Sequence, residues 1–214
     1  MRRRAFLTAA VVPASVALAG PLAAIAQRAS VRVIVDNDFA GDPDGLVALA
    51  HQLLSPKART VLVTGSPLDA KLAGMAGVDA AQTAGAGCRL AQELIGRPGM
   101  TSAPPVVVGA EGFAGGESAA ARSIVAEAMR DDPLPLIVTC GGPLTNVAAA
   151  LRLNPAIAEK MKLVWIGGAA DAGGYEYNLS TDLAAARYVL EESGVPVGRF
   201  LSRSTSGSRF PSRR

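Results

Sequence analysis

Four carboxylates crowd into nine residues near the amino end of the chain, in the run Asp36-Asn37-Asp38-Phe39-Ala40-Gly41-Asp42-Pro43-Asp44-Gly45. Like charges this close repel unless a cation sits among them or protons are retained. Hard oxygen donors on a glycine-containing loop suit Ca2+ or Mg2+. Asp44 taken alone reads as an acid at the positive end of the next helix. All four together read as a metal site. An EF-hand loop begun at Asp36 needs Glu at its final ligand position, where Val47 stands, and no helix precedes it. Further along, Glu176 and Asn178 follow an apolar run that needs neither polar group, and Gly141-Gly142 follow another.

Elements that could hold these residues alternate along the chain. Short apolar runs at Val31–Val35, Thr60–Thr64, Pro105–Val108, Leu136–Thr139 and Leu163–Ile166 have the near-continuous hydrophobicity of buried parallel strands, and Val195–Val197 begins a sixth. Between them the spacing predicts helices over Gly45–Leu54, Val78–Ile95, Gly115–Arg130, Leu144–Arg152 with Pro155–Lys160, and Thr181–Glu192, the last opened by Thr181 and Asp182. Such alternation predicts an α/β fold: a mostly parallel central sheet with helices on both faces. Ligands of these sheets bind outside the carboxyl ends of the strands. The acidic loop follows the first strand, Gly141 the fourth, and Ile166, Glu176 and Asn178 end or follow the fifth.

Half of the 214 residues are hydrophobic and 18% are charged, which excludes a disordered chain. The net charge of +3 would ordinarily raise nucleic acid or a membrane surface as a partner. Its distribution removes that reading. Arg2–Arg4 lie at one end and five arginines in the last sixteen residues, so residues 27–198 hold 13 bases against all 18 acids. The body is acidic, and no nucleic-acid partner is expected. Residues 1–26 read as an export signal: three arginines, an apolar stretch broken by Pro13 and Pro21, and Ala24-Ile25-Ala26 for cleavage. Within it, Arg3-Arg4-Ala5-Phe6-Leu7 resembles the twin-arginine signal, which implies export to the periplasm or beyond with no stable membrane anchor. The expected body is then 27–198, followed by a basic, irregular tail at 199–214. Cys88 and Cys140 read as small buried hydrophobes.

The strand followed by Asp36-Asn37-Asp38 invites comparison with phosphatases of the haloacid-dehalogenase type. Those want Thr or Val where Ala40 stands, and a Lys and a late acidic pair that cannot be placed here. A better match runs from Val33 through Asp38 and from Asp42-Pro43-Asp44-Gly45 to Leu49, which resembles the opening of the inosine–uridine-type nucleoside hydrolases. Gly141-Gly142-Pro143-Leu144-Thr145-Asn146-Val147-Ala148 resembles that family's Gly-Pro-Leu-Thr-Asn-Ile-Ala. Trp165-Ile166-Gly167-Gly168 resembles its Met-Gly-Gly segment, and Glu176-Tyr177-Asn178 through Asp182 its Glu-Phe-Asn-x-x-x-Asp. The resemblance implies a Rossmann-like fold and hydrolysis of the N-glycosidic bond of a nucleoside by water bound to Ca2+, through an oxocarbenium-like transition state.

Carried over residue by residue, Asp38 is a calcium ligand and the general base, and Asp44 grips the ribose hydroxyls. Gly141 supplies a carbonyl ligand, Glu176 and Asn178 hydrogen-bond the ribose, and Ile166 stands beside the sugar. The second Asp of the family's pair falls on Gly45, and Asp42 is expected to supply the missing oxygens. Ser66 stands where the family usually has Asn, Asp36 and Asn146 read as structural, and His51, the single histidine, reads as a surface or packing residue. The family's last calcium-binding Asp, preceded by a His, has no counterpart. The expectation is a chain cut short near Gly198 with a non-native tail. The competing expectation is a non-catalytic remnant or an exported calcium or ribose binder. A homo-oligomer is compatible with either.

Overall fold

A computed structural model of the chain describes residues 28–41, 43–100, 102–170 and 174–202. The expected signal segment 1–26, Asp42, and the chain from residue 203 lie outside the described residues. Six strands, β1 (Val31–Asn37), β2 (Ala58–Gly65), β3 (Val106–Val108), β4 (Leu136–Cys140), β5 (Met161–Ala169) and β6 (Val197–Ser202), form one sheet in the order β3-β2-β1-β4-β5-β6. Every pairing is parallel. The expected sheet is therefore observed, and its order reverses between β1 and β4. At such a switch point the connections leave toward opposite faces, and the strand ends part into a crevice.

Alternation along β1 shows why two cores form. Val33 and Val35 point to one face and pack with Leu49 and Leu53 of α1 (Asp44–Leu54) and Ala91 of α3 (Thr83–Ile95). Ile34 points to the other, where α4 (Ala119–Ala128), α5 (Thr145–Leu153) and α7 (Leu183–Arg187) bury Ile124, Leu151 and Ala186 beside Trp165. Away from the crevice, buried Arg32 at the start of β1 pairs with Glu127 of α4 at 2.8 Å. Among the described residues no helix is long and apolar enough to cross a membrane.

The structure corrects several boundaries. A seven-residue helix, α2 (Ala70–Ala76), was not expected; Asp69 caps it by accepting from Leu72 N at 2.7 Å, and Gly77 ends it at φ 68°. The helix expected from Val78 starts only at Thr83. That expected from Gly115 starts at Ala119, because Gly115 and Gly116 have positive φ and Ser118 provides the cap. The helix expected over Thr181–Glu192 is split. A short α6 (Tyr177–Thr181) ends at Asp182, which caps α7, and a π-type turn covers Tyr188–Glu192. Strand β6 runs through 198 to Ser202, so four residues counted in the irregular tail belong to the sheet.

Candidate active site at the carboxyl ends of β1 and β4

Asp36, the last-but-one residue of β1, is completely buried. Its Oδ1 accepts from Thr64 Oγ1 at 2.6 Å and Asn146 Nδ2 at 2.9 Å; its Oδ2 accepts from Ser66 Oγ at 2.8 Å and Cys140 Sγ at 3.4 Å. Burial pushes this carboxyl up from its ordinary value, against the pull of those four donors. The same burial, with Asp36 beside it, pushes the Cys140 thiol up, so it stays protonated. Asn146 reaches across the sheet: its Nδ2 also donates to Gly65 O at 3.0 Å, and its Oδ1 accepts from Ala110 N at 3.2 Å. Asp36 is thus a structural hub tying the ends of β1, β2 and β4 to α5. Ser66 is committed to that hub.

Asp38 stands just past β1 with 7% of its surface exposed. Its N–H donates to Asn37 Oδ1 at 2.9 Å. Gly142 passes so close that a Cβ there would lie 3.0 Å from Asp38 N and 3.3 Å from Cγ. Asp44 is exposed in the first turn of α1. Gly141 carries its carbonyl toward Asn178, whose Nδ2 donates to Gly141 O at 3.0 Å and to Ile166 O at 2.8 Å. That single amide fixes the ends of β4 and β5 together. Ile166 is 53% exposed and, with Asn37, Gly141 and Phe200, lines a cleft of about 190 Å3 between the sheet and α1. The fold therefore gathers Asp38, Gly141, Ile166 and Asn178 at one crevice, with Asp44 on the helix that leaves it.

Glu176 enters this group through the backbone. It caps α6, its Oε1 accepting from Asn178 N at 3.0 Å and its Oε2 from Gly168 N at 2.6 Å and Leu179 N at 2.9 Å. Replacing Glu176 by Gln turns one of these acceptor positions into a donor facing an N–H. The expected cost is about 1–2 kcal/mol in urea unfolding, with loosened placement of Asn178. Three contacts were not foreseen from the sequence. The Tyr177 hydroxyl accepts from Asp69 N at 3.2 Å, joining the segment after β5 to the loop after β2 across the ends of β1 and β4. The Trp165 indole donates to Gly142 O at 3.0 Å. Asn37 lies between two glycines. Only the sequence pairing of Gly45 with Gly141 could have hinted at it.

Among the described residues no cluster of three or more His, Cys, Asp or Glu side chains forms a metal site. The oxygens offered around the crevice, the Asp38 and Asp44 carboxylates and the Gly141 carbonyl, are all hard donors. In kind they fit Ca2+ or Mg2+ and not a thiolate- or imidazole-seeking ion. His51 is exposed on α1.

A sequence model of the inosine-uridine preferring nucleoside hydrolases matches residues 33–205, which include every site residue above. The chain belongs to that nucleoside hydrolase family. Its curated relatives include the pyrimidine-specific ribonucleoside hydrolase RihA of Citrobacter koseri, 34% identical over 86 residues, or 38% of this chain and 27% of that one. Solved structures agree on the fold. The inosine-uridine preferring nucleoside hydrolase of Bacillus anthracis superposes with a TM-score of 0.60 at 17% identity, covering 81% of this chain and 65% of that one. A purine-preferring ribonucleoside hydrolase from Gardnerella vaginalis gives 0.56 at 24% identity, covering 78% and 60%. The chain thus spans less than two thirds of these relatives. Nucleoside hydrolases of this family are metal-dependent, and both the family match and β6 continue past Gly198.

Proposed function

We propose that this nucleoside hydrolase cleaves the N-glycosidic bond of ribonucleosides with Ca2+ as its metal, giving ribose and free base. The observation that carries the reading is the family match over a crevice where Asp38 packs against Gly142, the residue after the Gly141 carbonyl. When bound, Ca2+ would lower the pKa of the attacking water and hold the sugar hydroxyls. Asp38, Asp42 and Gly141 are the residues that would hold it. The Asp38 carboxylate takes the proton from water as the C1′–O bond forms and the C1′–N bond breaks, the base leaving with the electron pair. Asp44 accepts hydrogen bonds from the ribose hydroxyls, and Ile166 packs beside the sugar. Asn178 has both N–H groups committed, so it offers its carbonyl oxygen. Glu176 keeps one lone-pair site, of about four on a carboxylate, beyond its three backbone donors.

The named relatives act on purine and on pyrimidine nucleosides, and the ribose is what those substrates share; inosine and uridine are therefore the test pair. Ribose release is followed by a reducing-sugar assay in calcium, after chelation, and after calcium is restored. Turnover lost on chelation and regained with Ca2+ supports the reading. Calcium binding without turnover in any condition supports the second reading, an exported binder, which Gly45 favours by withholding a carboxylate from the site. Export rests on Arg3-Arg4-Ala5-Phe6-Leu7, and cell fractionation after conversion of both arginines to lysine tests it.

A further inference from the structure

Asn37 departs from a bystander role in a way the family resemblance does not describe. Its carboxamide is sandwiched between two backbones. A Cβ at Gly45 would lie 2.8 Å from Asn37 Oδ1 and 2.9 Å from Cγ; a Cβ at Gly141 would lie 2.4 Å from Asn37 Nδ2. Gly45 belongs to the first turn of α1 and Gly141 follows β4. The carboxamide therefore sets the gap between the helix that carries Asp44 and the strand end that carries the Gly141 carbonyl. Its Oδ1 also takes the Asp38 N–H at 2.9 Å, and Asn37 itself is buried. One side chain thus lies against Asp38, against Gly141 and against the residue that follows Asp44.

Resting on the reading above, we propose that Asn37 is a positioning residue for the cation and ribose site, and that Gly45 and Asn37 form one exchanged pair. The carboxamide fills the space in which a side chain at 45 would start. A carboxylate added at 45 would have to displace the buried Asn37 carboxamide, and the site holds its donors apart by a neutral group instead of a charged one. Glycine at 45 is a requirement of that packing. A helix position ordinarily gains stability when Gly becomes Ala, so the sign of the effect at 45 is diagnostic.

The test uses the full chain and the variants Gly45→Ala, Asn37→Ser, Asn37→Ser/Gly45→Ala and Asn37→Ser/Gly45→Asp, read by melting midpoint and by calorimetric titration with Ca2+ alone. Gly45→Ala is expected to lower the midpoint by about 4 °C or more and to weaken Ca2+ binding about tenfold. Asn37→Ser in the same chain should recover most of both losses, and with Gly45→Asp it should bind Ca2+ more tightly than the parent. A recovery of this kind is not expected of two unrelated structural defects. Gly45→Ala as stable and as tight-binding as the parent, or a loss that Asn37→Ser leaves unrelieved, overturns the proposal. If the parent takes up no Ca2+, the calcium reading fails, and the recovery of the midpoint alone then decides the pairing of Asn37 with Gly45.

Discussion

Asp38→Asn is expected to lower the rate of ribose release by about 10²–10⁴-fold and to weaken Ca2+ binding by at least about tenfold, with the fold retained. The substitution keeps the shape of the side chain and leaves the Asp38 N–H on Asn37 Oδ1. What it removes is the negative charge that both proposed roles need. An amide cannot take a proton from water at neutral pH, and it is a weaker ligand for a hard cation. Asp38 is the carboxylate held against Gly142 at the crevice, whereas Asp36 behind it is completely buried and spoken for by four donors. Asp44→Asn makes the contrast. On an exposed first turn it should act mainly on KM, by losing ribose contacts, with a smaller effect on kcat. Steady-state kinetics and unfolding curves check both. An Asp38→Asn protein within threefold of the parent rate would sink the assignment of Asp38 as base.

How far the sequence carries to this site depends on whether a contact is local or made by the fold. β1 and the acidic loop are legible because a strand buried on both faces must be apolar until its end, and the first polar run marks that end. Gly141 was legible for the same reason at β4. Glu176 reads as facing substrate, and its carboxylate also closes the first turn of α6; that second role is not legible because Glu is an uncommon cap, and Ser, Thr, Asp and Asn are the usual signals. Helix α2 escaped because seven residues containing Gly74 give too few turns for a periodic pattern. The start of β6 is legible at Val197, but its continuation is not, because an edge strand exposes its side chains and Arg199 and Phe200 read as tail instead of sheet. Asn37 was hardly legible. Its meaning exists only where α1 and β4 meet, a hundred residues apart.

Asp36 separates hydrogen bonding from charge most clearly. Asp36→Ala should cost about 3 kcal/mol or more in urea unfolding, because it opens a cavity and strands donors from Thr64, Ser66 and Asn146 in a site without water access. Asp36→Asn should cost much less. Its oxygen can face Thr64 and Asn146, and its NH2 can donate to the Ser66 hydroxyl, which rotates to accept. Both variants also lose a pH dependence that the parent has. Burial raises the native carboxyl above its ordinary 3.8, so above that pH the native state holds a proton that the unfolded chain has released. Native stability then falls as pH rises through the window between the unfolded and the raised native value, and levels off beyond it. Asp36→Asn lacks this contribution, so its stability relative to the parent should improve across that window and stay constant above it. Unfolding at a series of pH values, with a chelator present so that no cation contributes, measures the difference. A difference that does not change with pH would mean that Asp36 ionises in the native protein as readily as in the unfolded chain, and the four donors, not burial, would then set its charge.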